Sequence, residues 1–319
     1  MNRALKTQAK RLFLRAHQMA LRFGVALVPN SYYSSVPDIN VLRATRNIWA
    51  RKSDLIGVCS DLRGQVHRLY ETCSRFEPEY RGNRTFLKGC ASDCGPGFGY
   101  VEAMALHGFL RHFKPTKIIE VGCGVSTYCV LAAAALNESE GSPHCEVTCV
   151  EPYPRPWLAR APVRMLAQPV QKVDPKEFED LSPGSLLFID SSHAVKTGSD
   201  SNYLILEVLP RLQRGVLVHF HDIYLPYDYG PDALETFLHW QETVLLHAFL
   251  IGNRNVRVLF SLSQLHCECP KALARTFPEY EPCRTEDGLF DPSRKPFAEP
   301  AGHFPSSTYL EIVGDHRAT

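Results

Sequence analysis

The sequence predicts an α/β protein built on a mostly parallel sheet with helices on both faces, preceded by an N-terminal helical cap. Three observations predict it. Short apolar runs alternate with helical segments from about residue 117 onward. A Gly-x-Gly turn, Gly122-Cys123-Gly124, joins the first run to an Ala-rich helix. Four acidic residues, Glu120, Glu151, Asp190 and Asp222, fall at or near the ends of successive runs. In such sheets the carboxyl ends of the strands are where ligands bind.

The elements follow in order. Residues 39–90 alternate between helical and irregular segments without a nucleotide motif, and a turn-rich loop (92–100) precedes a helix over about 101–113. Strands are expected at 117–121, 146–151, 163–166, 185–190 and 215–222, with two late strands at 256–261 and 308–313, seven in all. Helices are expected at 128–136, 200–212 and 232–250. The division that results is a basic amphipathic helix (1–29), a cap or extension (30–100) and a catalytic domain (101–319).

The turn reads Glu120-Val121-Gly122-Cys123-Gly124-Val125-Ser126-Thr127. Glycines there let the backbone approach a ligand and aim helix N–H groups at it. The third glycine of the dinucleotide fingerprint is replaced by Thr127. Glu151 ends the next strand and can accept two hydrogen bonds from a ribose diol. The polar insert 137–144 accounts for the long interval between Gly124 and Glu151.

This pattern, with a following strand that ends in Glu, resembles the class I S-adenosylmethionine-dependent methyltransferases over about residues 100–315. The resemblance implies a Rossmann-like methyltransferase fold whose seven-stranded sheet ends with an antiparallel strand. It implies that Glu120, Gly122, Gly124 and Ser126 line the methionine part of S-adenosylmethionine and that Glu151 holds its ribose. Gln171, after the third strand, is the candidate on the adenine side. Within the class, Phe188-Ile189-Asp190-Ser191-Ser192-His193 and Val218-His219-Phe220-His221-Asp222-Ile223 resemble a bacterial-type branch acting on small molecules. Segments 32–38 and 97–102 resemble the upstream part of the same branch.

A second group lies at the ends of the fourth and fifth strands. Asp190, His221 and Asp222 can bind one divalent ion. The group is similar to that of catechol-type and sugar O-methyltransferases, which hold magnesium with acids after these strands. His221 departs from that pattern, since hard ions prefer oxygen. Magnesium, manganese, iron and zinc all stay open, as does a role for His221 as base without any metal. His193 adds a further ligand or base, and His219, alternating with His221 on one strand, faces the same side. The expected chemistry deprotonates an acceptor hydroxyl, with Asp190, His193 and His221 as the catalytic candidates. A histidine base supplies about 10²–10⁴-fold. The Tyr- and Pro-rich loop 224–231 can wall an acceptor pocket.

Composition narrows the partners. The 319 residues carry a net charge of +1 and 45% apolar residues, which excludes a disordered chain and a globally basic nucleic-acid binder. No Asn/Asp-Pro-Pro-aromatic motif of nucleic-acid methylation occurs. Residues 1–37 hold six Lys and Arg and no acidic residue, leaving 29 basic against 34 acidic residues elsewhere. Leu5, Leu12, Ala16, Met19 and Phe23 fall at helical spacing. Such a helix attaches to anionic lipid or a partner, resembles an organelle transit sequence, or packs on the body with its basic face solvated. No 18-residue apolar run and no A-x-A-like signal site is seen, so the expectation is a cytoplasmic protein with peripheral membrane contact through 1–29 left open. A homo-oligomer also stays open. The eleven cysteines read as mostly buried free thiols, although His266, Cys267, Cys269 and Cys283 offer a weak zinc alternative. The competing functional classes are a nicotinamide-dependent oxidoreductase, disfavoured by Thr127 and the absence of a Tyr-x-x-x-Lys pair, and a non-catalytic protein that keeps the methyltransferase fold for binding.

Overall fold

The computed structural model describes residues 3–92, 94, 95, 97–281, 285–290 and 304–314. Seven strands form one sheet: β1 (Lys117–Val121), β2 (Glu146–Val150), β3 (Arg164–Leu166), β4 (Leu186–Ile189), β5 (Leu217–Phe220), β6 (Val256–Ser261) and β7 (Thr308–Ile312). Their spatial order is β3-β2-β1-β4-β5-β7-β6. Strands β1 to β5 are mutually parallel, and β7 runs antiparallel between β5 and β6. The expected seven-stranded, mostly parallel sheet is the one observed.

The strands are apolar nearly throughout because both sheet faces are covered. Alternation divides each strand between two cores. Ile118, Val147, Leu186, Phe188 and Leu217 pack toward the helices Leu62–Cys73, Tyr100–Phe113 and Val125–Ser139. Ile119, Val121, Leu187, Ile189, Val218 and Phe220 face the opposite core, with Phe178, Leu204 and Leu246. The same alternation sends Glu120, in register with Phe188 and through it with His219, to the first of these faces.

Two helical expectations are corrected. The segment 200–212 is helical but irregular, opening as Asp200–Tyr203, widening to a π-type turn over Leu204–Val208 and tightening over Leu209–Arg211, where Pro210 interrupts the ladder. The segment 232–250 is helical only over Glu242–Leu250. Before it the chain makes successive turns, and the Gln241 backbone N–H donates to the His193 carbonyl at 3.2 Å. That tie fixes the chain just ahead of the helix and leaves Phe237 and Leu238 exposed.

The upstream segment does not sit mainly over the strand ends. Its helices Leu62–Cys73 and Arg84–Ala91 pack on helices Tyr100–Phe113 and Val125–Ser139 and on β6. Residues 43–49 reach the loops beyond β5: Arg46 Nε contacts Asp287 Oδ2 at 2.6 Å, and Trp49 meets Tyr229 edge-on. The N-terminal helix (Arg3–Leu21) is exposed along its apolar stripe, Leu12 at 70% and Met19 at 63%, so the packed alternative is not the one observed. No helix among the described residues is long and apolar enough to cross a membrane. Every described cysteine is a free thiol.

Candidate active site

The strand ends carry three adjoining pockets. One, of about 450 Å³, is lined by Val150, Glu151, Pro169, Val170 and Gln171 with Asp190 at its edge. A second, of about 350 Å³, is lined by Gly122 to Ser126, Asp190 and His193. A third, of about 490 Å³, is lined by Phe98, His221, Asp222, Tyr224, Trp240 and Phe304. Gly122, Glu151 and Asp190 border both of the first two, and Phe98, Asp222 and Trp240 border both of the last two.

The glycine turn is shaped by β4. Gly122 has φ +80°, and a Cβ there would stand 1.9 Å from the Asp190 carbonyl oxygen. Only glycine therefore lets β1 and β4 end side by side. Gly124 caps the helix Val125–Ser139, its N–H donating to Thr127 Oγ1 at 3.2 Å. Glu151 is half-buried, with Oε1 accepting from the Tyr153 N–H at 2.8 Å and Oε2 from the Cys123 N–H at 3.4 Å. Its remaining lone pairs face the first pocket. Gln171 lines that pocket and donates from Nε2 to the Gly198 carbonyl at 3.0 Å. An acid, a glycine turn and an apolar slot fit the ribose, methionine and adenine parts of S-adenosylmethionine.

Glu120 is placed differently from the role implied by the resemblance. It is fully buried and borders none of these pockets; its Oε1 accepts from Ser126 Oγ at 2.6 Å. The β1 alternation turns it beneath the loop, so Ser126, not Glu120, reaches the middle pocket. Burial pushes the Glu120 carboxyl up to about 8, against the opposing pull of the Ser126 and Thr127 hydroxyls. A raised carboxyl favours folding most below the ordinary carboxylate range, and that contribution falls until pH passes about 8. Glu120→Gln is therefore expected to flatten the fall in stability between about pH 5 and 8, a difference on the order of 1–3 kcal/mol, in urea unfolding at stepped pH. Parallel wild-type and variant curves would contradict this.

The second group is larger than the sequence indicated. Asp190 follows β4, and His221 and Asp222 follow β5. His193 Nε2 lies 3.4 Å from Asp190 Oδ1 and 3.4 Å from Asp222 Oδ2. His221 Nδ1 lies 3.2 Å from Asp190 Oδ1 and 3.6 Å from Asp222 Oδ2. Two residues unmarked as site residues in the sequence complete the group. Glu242 Oε2 meets His193 Nδ1 at 2.8 Å, and Glu102 Oε2 meets His221 Nε2 at 3.3 Å. Both glutamates are buried, where a carboxylate stays ionised only beside a charge or hydrogen-bond partner. His193 (φ +56°) and Asp222 (φ +54°) hold left-handed backbone conformations, strain of a kind that collects at functional sites.

The electrostatics follow from this crowding. Burial disfavours the charged rings, but the surrounding carboxylates outweigh it: His193 is pushed up to about 10 and His221 is raised well above its ordinary value. Burial also opposes ionisation of Asp190, yet the His221 and His193 charges hold it well below the usual range. His219 is pushed down to about 3 by burial and by His221 beside it. It stacks between Phe188 and Tyr309, 4.2 Å from each ring, and pairs through Nε2 with Ser307 Oγ at 2.8 Å. Ser307 in turn donates to Glu102 at 2.9 Å, so His219 supports His221 through two intermediates without reaching a pocket.

The residues also test the metal expectations. Asp190, His193 and His221 present donor atoms within 4.8 Å of one another, and this donor set fits a divalent ion that accepts imidazole. The zinc alternative at His266, Cys267, Cys269 and Cys283 is not supported among the described residues. His266 Nδ1 is engaged by the Tyr280 hydroxyl at 2.6 Å, Cys283 lies outside the described residues, and the donor groups close enough to share an ion do not include the other two.

Residues 119–223 match the family model of a methyltransferase domain. The matched segment runs from β1 to just past β5, and the strand order β3-β2-β1-β4-β5-β7-β6 places the acids at the ends of β2, β4 and β5 along one edge of it. An uncharacterized protein of Archaeoglobus fulgidus is 26% identical over 185 residues, which cover 53% of this chain and 80% of that protein. The chain is also similar in structure to the O-methyltransferase TomG from Streptomyces achromogenes, involved in tomaymycin synthesis and solved in complex with S-adenosylmethionine. That likeness has 14% identity and a TM-score of 0.41, covering 81% of this chain and 92% of the other.

Proposed function

We propose that the protein transfers a methyl group from S-adenosylmethionine to a hydroxyl oxygen of a small acceptor held in the pocket of about 490 Å³. The observation that carries this reading is the line of three adjoining pockets, with Glu151 at one end and the Asp190–His193–His221–Asp222 group between cofactor and acceptor space. When bound, S-adenosylmethionine supplies an electrophilic sulfonium methyl. Glu151 holds the ribose diol, Gln171 borders the adenine, and the glycine turn with Ser126 accepts the methionine portion. Phe98 and Trp240 stand at the junction of the middle and outer pockets, where their rings exclude water and hold the acceptor near its attack distance. A carboxylate of the group, Asp190 or Asp222, takes up the acceptor's proton, since the neighbouring carboxylates already keep both imidazoles protonated. A divalent ion held by Asp190, His221 and Asp222 would supply a Lewis acid that lowers the acceptor's pKa.

The acceptor pocket is walled mainly by aromatic rings, with Asp222 and His221 at its base. A small aromatic or otherwise flat molecule bearing a hydroxyl fits that chemistry. The nicotinamide reading lacks comparable support, since Thr127 closes the position that a dinucleotide fold gives to glycine. The exposed apolar stripe and basic residues of helix Arg3–Leu21 support a resting contact with an anionic membrane surface. The test of the reaction is incubation with S-adenosylmethionine labelled in its methyl group and a panel of phenols, catechols and sugars. Label on an acceptor oxygen is expected. Label only on nitrogen or carbon, or none with the cofactor demonstrably bound, would contradict transfer to oxygen.

A further inference from the structure

We propose that the acceptor is a cation, a flat hydroxylated molecule that carries an ammonium group, and that Asp232 is the residue that selects it. The inference rests on the methyltransferase reading and gives its substrate a charge.

The two acids that line the pocket of about 490 Å³ stand in different company. Asp222, at the base, is engaged on both oxygens. Its Oδ1 accepts from the Tyr224 hydroxyl at 3.0 Å and from Ser306 Oγ at 2.9 Å, and its Oδ2 stands 3.4 Å from His193 Nε2. Asp232, on the wall, accepts from its own backbone N–H, and His239 acts on it only at longer range. Among the described residues no Lys, Arg or His lies within ion-pair distance of the Asp232 carboxylate. Gly230 sets where that carboxylate stands. A Cβ at this position would lie 2.9 Å from Asp232 Oδ1 and 3.4 Å from the Tyr224 ring. The missing side chain leaves room for the acid beside the ring, so Tyr224 has one acid at its hydroxyl and a second close by.

The rest of the wall is aromatic. Phe98, Trp240, Phe290 and Phe304 join Tyr224 around the cavity. Phe304 and Tyr224 meet with centroids 5.8 Å apart, while Phe98 lies 5.1 Å from the His221 ring and Trp240 lies 4.8 Å from the His193 ring. Aromatic faces carry negative potential and attract an ammonium group, and a carboxylate among them supplies its counter-charge. The other occupants fit less well. An anion would meet Asp232 and Asp222 at like charge. A neutral molecule would cover the half-buried Asp232 and leave it without a partner. Burial already raises the Asp232 carboxyl, and the Asp222 charge adds to that; a bound cation opposes both. Deeper in, Asp190, Asp222, Glu102 and Glu242 outnumber the rings of His193 and His221, so the field at the base is negative too. The acceptor hydroxyl then reaches Asp222 and Asp190 at the base while the ammonium group stays on the wall at Asp232.

The test uses three phenols of similar shape that differ in the charge of the para substituent: p-hydroxybenzylamine, p-ethylphenol and p-hydroxyphenylacetate. Each is titrated by calorimetry into the full chain saturated with S-adenosylhomocysteine, and each is offered as acceptor with methyl-labelled S-adenosylmethionine. The amine is expected to bind about tenfold or more tightly than p-ethylphenol, and the carboxylate more weakly than either. Asp232→Asn keeps the shape and removes the charge. It should lower amine affinity about tenfold or more, leave that of p-ethylphenol within about threefold, and raise KM for the amine more than it changes kcat. The comparison of the three phenols on wild type stands by itself if the variant does not fold. Amine and neutral phenol bound equally by wild type, the carboxylate bound most tightly, or none of the three bound beside the cofactor product would overturn the inference, as would an unchanged preference for the amine in the variant. Neutral phenols methylated as readily as the amine would refute it and leave the methyltransferase reading intact. Protein that binds the amine but no S-adenosylmethionine would do the reverse.

Discussion

Asp190→Asn is expected to reduce methyl transfer by about 10³-fold or more while preserving the fold. Asp190 Oδ1 is the atom on which His221 Nδ1 and His193 Nε2 converge, at 3.2 and 3.4 Å. Asparagine keeps the size and removes the charge. Whether the group works by holding an ion or a proton, the charge is the part it cannot lose. The side chain also borders the middle pocket, so the variant changes the reacting end of the site and not the ribose end. A second readout needs no acceptor. In the metal-free protein, His193 stands at about 10 because burial is outweighed by the Asp190 and Glu242 carboxylates, with Asp222 adding to them. Removing one of these charges lowers that value, and ring-proton NMR across a pH series reports it. Activity within tenfold of wild type, together with an unmoved His193 titration, would place the chemistry elsewhere.

Glu151→Ala is expected to weaken S-adenosylmethionine binding by about 100-fold or more, since hydrogen bonds to a charged acceptor contribute about 1.5–3 kcal/mol each. The side chain also braces the site: it accepts from the Cys123 and Tyr153 N–H groups, so its loss loosens the glycine turn as well. Calorimetry on wild type and variant checks this. An affinity within threefold of wild type would remove the ribose assignment.

All seven strands were legible because a parallel strand buried on both faces is a short, continuous apolar run, and Gly-rich or polar punctuation bounds each one. The glycine turn and the strand-end acids were legible for the same reason: they sit at fixed offsets from those runs. The burial of Glu120 carries a signal in the sequence. Ile119 and Val121 face one core, so period-two alternation turns Glu120, with Ile118, toward the other. Glu102 and Glu242 could not be assigned from spacing. They stand on helices separated from His221 and His193 by 119 and 49 residues, and only the fold brings them together. The break before Glu242 was hidden because residues 232–241 carry apolar side chains at helical intervals, whereas the His193 carbonyl takes the Gln241 N–H and sets where the helix begins.

The central claim is that the strand ends form an S-adenosylmethionine site, and calorimetric titration of the folded full chain with S-adenosylmethionine tests it most directly. The structure predicts one cofactor per chain at micromolar affinity, weakened about 100-fold or more by Glu151→Ala and competed by S-adenosylhomocysteine. No heat of binding at millimolar cofactor, from protein whose circular dichroism shows it folded, would contradict the claim.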